Sequence, residues 1–202
     1  MSEVAKFYAD NMFHGYVEGL DMNPGSVIID LGTYKGYTAK LLATLYPVST
    51  IYSFEPMIDF YNEAVVECST QKNINVLPFG LGNGNFDFYM DEQGDSTSMI
   101  IGNKSATGTK CVMRDFFEVL SEKNISEIDL LHINIEGGEY DLLDYIFSSN
   151  FHLRIKHLIV QFHYPSTVND EKLHRYYDIM SQNHELIYDY RYLWVRWSHI
   201  QR

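Results

Sequence analysis

Three stretches of this chain hold residue types that can do chemistry. The first is IIDLGTYKGYT, running from Ile28 to Thr38. Gly32 and Gly36 let the backbone turn tightly and lie close to a ligand. Amide N–H groups at the start of a following helix favour a carboxylate or a phosphate. Asp30, at the end of an apolar run, either anchors the loop or holds a cationic amino group; Thr33 and Tyr34 lie inside the loop. The spacing D-x-G-x-x-x-G departs from the dinucleotide form G-x-G-x-x-G, because Asp30 stands where the first glycine belongs. The second stretch is YSFEP. Its Glu55, just before Pro56, is placed to accept hydrogen bonds from both hydroxyls of a ribose. Loop and carboxylate together describe a nucleoside site, and NAD with an oxidoreductase reading remains formally compatible with it.

The third stretch is INIEGGEYDLL, Ile133 to Leu143. Strand alternation puts His132, Asn134 and Glu136 on one face and Leu131, Ile133 and Ile135 on the other. In the later run IVQFHYP, Gln161 and His163 share a face with Ile159. Neighbouring strands would bring Asn134, Glu136, Gln161 and His163 together at the carboxyl edge of a sheet. These groups suit transfer of a methyl group to a hydroxyl. An alcohol is a poor nucleophile until its proton is being removed, and a neutral His or a Glu can take that proton. His163 and Glu136 are the candidate bases. The plainer roles, a hydrogen-bonded structural histidine and a loop-capping carboxylate, stand beside this one.

These residues need elements to hold them. Val4, Phe7, Tyr8 and Met12 predict one face of an N-terminal helix within residues 1–22. Strands are expected at Val27–Leu31, Thr50–Phe54, Asn75–Phe79, Ile128–Ile135 and His157–His163, with helical apolar spacing between and after them. Asp115 and Glu118 form a capping-box pattern at a helix start. Two β-like runs, Leu186–Tyr192 and Trp194–Ile200, close the chain. This order predicts an α/β fold: a Rossmann-like, mostly parallel doubly wound sheet with helices on both faces, ending in an antiparallel hairpin. Residues 1–202 are expected to form one domain. The Gly-, Asn- and Ser-rich stretch from about 82 to 110 breaks the rhythm and reads as an inserted flap. At its middle lie Asp95, Ser96, Thr97 and Ser98, candidate acceptor contacts.

Composition narrows the partners. Fifteen basic residues against 27 acidic ones give a net charge of -12, which argues against a nucleic-acid partner. Cys68 and Cys111 lack metal-ligand spacing, no ligand cluster demands a metal, and no apolar stretch is long enough to span a membrane. The opening MSEVAKFYAD lacks the apolar core of a signal peptide, so a cytoplasmic location is expected.

Taken together, IIDLGTYKGYT, IYSFEP, NINVLPFGLGNGNFDFYM, the DSTSM loop, RDFFEVL and IDLLHINIEGGEYDLL resemble the FkbM family of S-adenosylmethionine-dependent methyltransferases. The last piece resembles the family's IDL-x-K-I-D-V-E-G-x-E signature. The resemblance implies a class I methyltransferase fold and O-methylation of a sugar or another small hydroxylated metabolite, leaving S-adenosylhomocysteine. It implies cofactor-loop roles for Asp30, Gly32 and Gly36, a ribose contact for Glu55, and positions near the adenine for Gly80 and Leu81. Glu136 and Glu139 match the acidic positions of the signature, and Glu139 and Gln161 join the candidate acceptor contacts. Two positions depart from the pattern. Asn134 stands for the family's Asp and cannot act as a base, and Thr33-Tyr34 stand for the usual Ala-Asn. Asn134 also motivates a second reading, a non-catalytic cofactor-binding module within a larger glycan-building protein.

Overall fold

The computed structural model describes residues 2–10, 12–93, 96–100 and 108–200; for residues 13, 14, 91–93 and 96–100 it describes the backbone course. Two short helices, α1 (Glu3–Ala9) and α2 (Met12–Gly15), open the chain. Ser2 caps α1 by accepting the Ala5 N–H. The single helix expected within residues 1–22 is thus divided, and its downstream part, with Val17 and Leu20 buried, is not helical.

The alternation of strand and helix then follows: β1 (Val27–Leu31), α3 (Tyr37–Leu45), β2 (Thr50–Phe54), α4 (Ile58–Cys68) and β3 (Ile74–Leu77). Next come β4 (Gly80–Gly82), β5 (Phe86–Gln93), β6 (Ser96–Ile100), β7 (Thr109–Asp115) and α5 (Phe116–Glu122). The chain finishes with β8 (Ile128–Ile133), α6 (Glu139–Ser148), β9 (Ile155–Val160), α7 (Thr167–Met180), β10 (His184–Tyr190) and β11 (Trp194–His199).

The main sheet has seven strands in the order β10-β11-β9-β8-β1-β2-β3. From β9 to β3 every pairing is parallel; β11 runs antiparallel to both β9 and β10. This is the doubly wound sheet with a closing hairpin that the sequence predicts. Its strands are apolar on both faces because helices cover both. Ile29, Leu31, Leu131 and Ile133 enter one buried cluster, with α5, α6 and α7. Ile28, Leu130 and Ile159 enter the other, with Leu42 of α3 and the N-terminal Phe7, Tyr16 and Val17. Truncating any of these fully buried side chains to Ala costs about 2–5 kcal/mol.

The expected flap is more than a hairpin. β4, β7, β5 and β6 form a second sheet in that order. The β5–β6 pair is antiparallel, and β7 joins it to β4. Phe88, Met90, Cys111 and Met113 of this sheet pack on Met57 and Phe60. At α5 the capping differs from the expected box. Asp115 accepts the Glu118 N–H, but it is Asn85, not Glu118, that takes the Asp115 N–H while bonding the Glu118 carboxylate. Among the described residues no helix is long and apolar enough to cross a membrane.

Candidate functional site

A cavity of about 620 Å³ opens at the carboxyl ends of β1, β2 and β8. That size lies in the range of small-molecule and cofactor sites, and the place is where doubly wound sheets bind ligands. The main sheet contributes Leu31, Gly32, Tyr34, Glu55, Pro56, Asn134, Ile135 and Glu136. The second sheet supplies an apolar wall of Phe86, Phe88, Met90 and Met113, with Gly80 and Leu81 beside it.

Tight backbone crossings build the floor. Gly32 has φ +81°, and both its N–H and that of Thr33 bond the Phe54 carbonyl. A Cβ on Gly32 would fall 1.8 Å from the carbonyl oxygen of Asn134, so only glycine fits there. Tyr34 follows at φ 53°, a left-handed value rare for a bulky residue. Its N–H bonds Glu55 Oε2 at 2.9 Å, and the Met57 N–H bonds Oε1 at 2.9 Å. Burial pushes the Glu55 carboxyl up to about 7, although these two amides pull the other way. Gly36 and Thr33 do not line the cavity. Gly36 starts α3 at φ 88° and lets it pack on α4, where a Cβ would lie 3.0 Å from Cys68 Sγ.

Asp30 is placed differently from its expected cofactor-loop role. It is fully buried on the opposite face of β1, in register with Ser53 and His132. Its Oδ2 accepts the Ser53 hydroxyl at 3.0 Å, and its Oδ1 lies 2.8 Å from His132 Nδ1. Strand alternation is the reason: Leu31 borders the cavity, so Asp30 turns away. Of the two roles open to it, anchoring the loop is the one this geometry serves. His132 in turn stacks on Trp194 and lies 3.4 Å from the Tyr16 hydroxyl.

The rest of the polar lining is built at the end of β8. Asn134 bonds Leu31 through its N–H, lines the cavity, and leaves Oδ1 buried without a partner. Glu136 sits at φ 51° and also lines the cavity. Burial raises its carboxyl above the ordinary value; the His163 charge opposes this and Glu139 adds to it. His163 does not line the cavity. It stands behind Glu136, with Nε2 3.6 Å from Glu136 Oε1 and Nδ1 3.2 Å from Glu139 Oε1. Burial draws its imidazole down, but the Glu139 hydrogen bond and the two carboxylate charges outweigh that and raise it.

Glu139 is fully buried and away from the cavity, which removes it from the acceptor contacts. Oε1 accepts the His163 N–H at 2.7 Å and Oε2 the Gly137 N–H at 2.8 Å. As the first residue of α6 it clamps two loops together instead. Gln161 carries its N–H to the Ile133 carbonyl and lies outside the cavity lining. Ser96, Thr97 and Ser98 fall on β6, but their side chains lie outside the described residues, as does Asp95.

Several lining residues were not among the sequence candidates: Phe60, Asn83, Phe86, Phe88, Met90, Met113, Asp141 and Asp144. The alternation of Phe86, Phe88 and Met90 was a usable signal, since one face of such a strand is apolar. Asp141 and Asp144 carried none, being ordinary helix-surface acids that pair with Lys172. Among the described residues no three His, Cys, Asp or Glu side chains are grouped to hold a metal ion.

The chain matches the model of the methyltransferase FkbM domain over residues 30–192. No protein of curated function matches it. Solved structures with a similar fold include an rRNA methylase from Streptococcus thermophilus, 12% identical, covering 94% of this chain and 95% of that one at a TM-score of 0.56. Another is a putative rRNA methylase from Clostridium thermocellum, 8% identical, covering 100% and 97% at 0.55. A third is a putative methyltransferase from Streptococcus mutans in complex with SAH, 10% identical, covering 95% and 97% at 0.52. At such identities the likeness is one of fold. The match over residues 30–192 goes further and takes in Asp30, Glu55 and the strand end at Asn134 to Glu139: the chain belongs to the FkbM methyltransferase family.

Proposed function

We propose that this chain is an S-adenosylmethionine-dependent O-methyltransferase acting on a hydroxyl of a sugar, in a glycan or a glycoside. One observation carries the reading. Glu55, Asn134 and Glu136 line a single cavity, and Asn134 Oδ1 is buried there without a hydrogen-bond partner.

The donor set fits the cofactor. A buried acceptor without a partner calls for a donor, and an ammonium group meets that need at Asn134 Oδ1. Glu55 keeps acceptor capacity for ribose hydroxyls beyond its two amide bonds. Gly80, Leu81 and the apolar wall suit a flat purine. When bound, S-adenosylmethionine supplies a methyl group already activated on a sulfonium.

The remaining work belongs to the chain. Glu136 takes the proton of the acceptor hydroxyl at its carboxylate. Its proton affinity, raised by burial, suits that task. His163 positions Glu136 and is itself held by Glu139. The described lining carries Glu55, Glu136, Asp141 and Asp144 and no lysine, arginine or histidine. This supports an uncharged acceptor over a phosphodiester, which such a lining repels. A cytoplasmic site of action belongs to the same proposal.

Two measurements test it. Calorimetry with S-adenosylhomocysteine should show one site, and no heat at millimolar ligand would remove the cofactor. Labelled S-adenosylmethionine should then be offered with pyranosides, catechol and an rRNA fragment, and products read by mass spectrometry. Label on a sugar hydroxyl is the expected result. Label on RNA alone, or on no acceptor, would overturn the sugar reading; the latter favours the non-catalytic module.

A further inference from the structure

Beside Glu136 stands an aromatic residue that the chemistry above does not use. Tyr164 follows His163 directly and has φ 54°, in the left-handed region. For a bulky residue that conformation costs of order 1–3 kcal/mol, and it persists only where the surroundings hold it. Here they do. The His163 N–H is bound by Glu139, and the His163 carbonyl accepts the Tyr140 hydroxyl at 2.7 Å. The Tyr164 carbonyl accepts the Asn169 amide at 2.7 Å. The ring is pressed onto Gly137, where an added Cβ would come within 2.6 Å of Tyr164 Cε2. Gly137 is the residue after Glu136, so the ring, carried by the loop after β9, lies against the loop that carries the carboxylate, just outside the residues that line the cavity.

Despite this fixation the residue is 52% exposed. No side-chain hydrogen bond is needed to hold the ring, and core packing does not account for a tyrosine left open to water. A rigid, exposed aromatic face next to a carboxylate suits a pyranose. The C–H face of the sugar lies on the ring, and its hydroxyls turn to the polar group. The same exposed ring loses little rotamer entropy on binding, because it is already fixed.

We propose that Tyr164 is an acceptor-binding platform on which a sugar ring stacks, presenting a hydroxyl to Glu136. This rests on the sugar reading of the site, and Tyr164 touches the acceptor, not the cofactor.

The test uses the full chain with methyl pyranosides as probes. Tyr164→Ala should raise the acceptor KM about tenfold, the loss expected for one aromatic contact. Its affinity for S-adenosylhomocysteine and its thermal midpoint should stay at wild-type values. Tyr164→Phe and Tyr164→Trp should keep the acceptor KM within about twofold, because the face is retained. An unchanged KM in the alanine variant overturns the platform, and so does a phenylalanine variant as impaired as alanine. A second readout needs no turnover: ring resonances of ¹³C-labelled tyrosine, titrated with the same pyranosides. A shift that is absent from Tyr164→Phe supports the platform even if no sugar is methylated, in which case the catalytic reading alone fails. No shift and no methylation overturn both.

Discussion

The Cα of Gly32 and the carbonyl of Asn134 cross so closely that a single added methyl group would sit 1.8 Å from the oxygen. This contact ties the loop after β1 to the end of β8. The neighbouring atom is backbone, so no side-chain rotation can relieve it. Gly32 also holds φ +81°, which alanine resists. Gly32→Ala should therefore destabilise the fold by about 2–4 kcal/mol. Urea unfolding will measure this, and calorimetry should show S-adenosylhomocysteine binding lost. A variant as stable as the wild type would mean that the two strand ends move apart freely.

Glu55 makes stability depend on pH. Burial raises its carboxyl from 4.5 to about 7 in the folded chain. The folded state thus keeps a proton that the unfolded state releases. The stabilisation is fully present below pH 4.5 and is lost as pH rises through 7, a span worth about 3 kcal/mol. Glu55→Gln should flatten the stability profile over that interval, read from urea midpoints at several pH values. Cofactor affinity in the wild type should move oppositely, rising from pH 6 to pH 8 as the carboxylate forms. An affinity that is flat with pH would remove Glu55 from the ribose.

The main sheet was legible in the sequence because its strands are apolar on both faces. Val27–Leu31 and Thr50–Phe54 match their expected bounds, whereas Ile128–Ile133 and Ile155–Val160 end earlier than expected. The chain leaves the ladder there to reach Glu136 and His163, and alternation stops predicting which way side chains point. The two roles open to Asp30 could not be separated in the sequence for a related reason: its partner His132 lies 102 residues away, and pairing of β1 with β8 is not written in either segment alone. The second sheet escaped because β4 has three residues, two of them glycines, and its partner β7 lies far along the chain. The polar residues after β8 and β9 were legible as residue types, not as roles. The pattern named Glu136, Glu139 and His163, and only their contacts separate the group that faces the cavity from the two behind it.

Asp30 and His132 form a buried pair with almost no solvent contact. Removing one partner strands the other, at a cost of about 3–5 kcal/mol. Asp30→Ala should show this in urea unfolding. Asp30→Leu combined with His132→Leu should recover much of the loss, since an apolar pair of similar volume needs no partner. The two measurements together separate anchoring from cofactor contact. Cofactor affinity should fall in Asp30→Ala and return with stability in the double variant. An affinity that stays low in a double variant as stable as the wild type would instead place Asp30 on the ligand.

Glu136 and His163 make the sharpest kinetic pair. Glu136→Gln keeps the shape and removes the base, so turnover should fall about 10²–10³-fold. Affinity for S-adenosylhomocysteine should be nearly unchanged. In the wild type the rate should rise with pH through a value above the ordinary carboxylate range, because burial favours the neutral acid. The charge of His163 opposes that upward shift of the carboxyl. His163→Gln removes it, so the rising limb should move to higher pH and the rate along that limb should drop. A merely structural histidine would lower stability and leave the limb in place. If His163 were itself the base, His163→Gln would abolish the limb altogether and Glu136→Gln would keep it, and the pH profile of methyl transfer for the two variants decides between them.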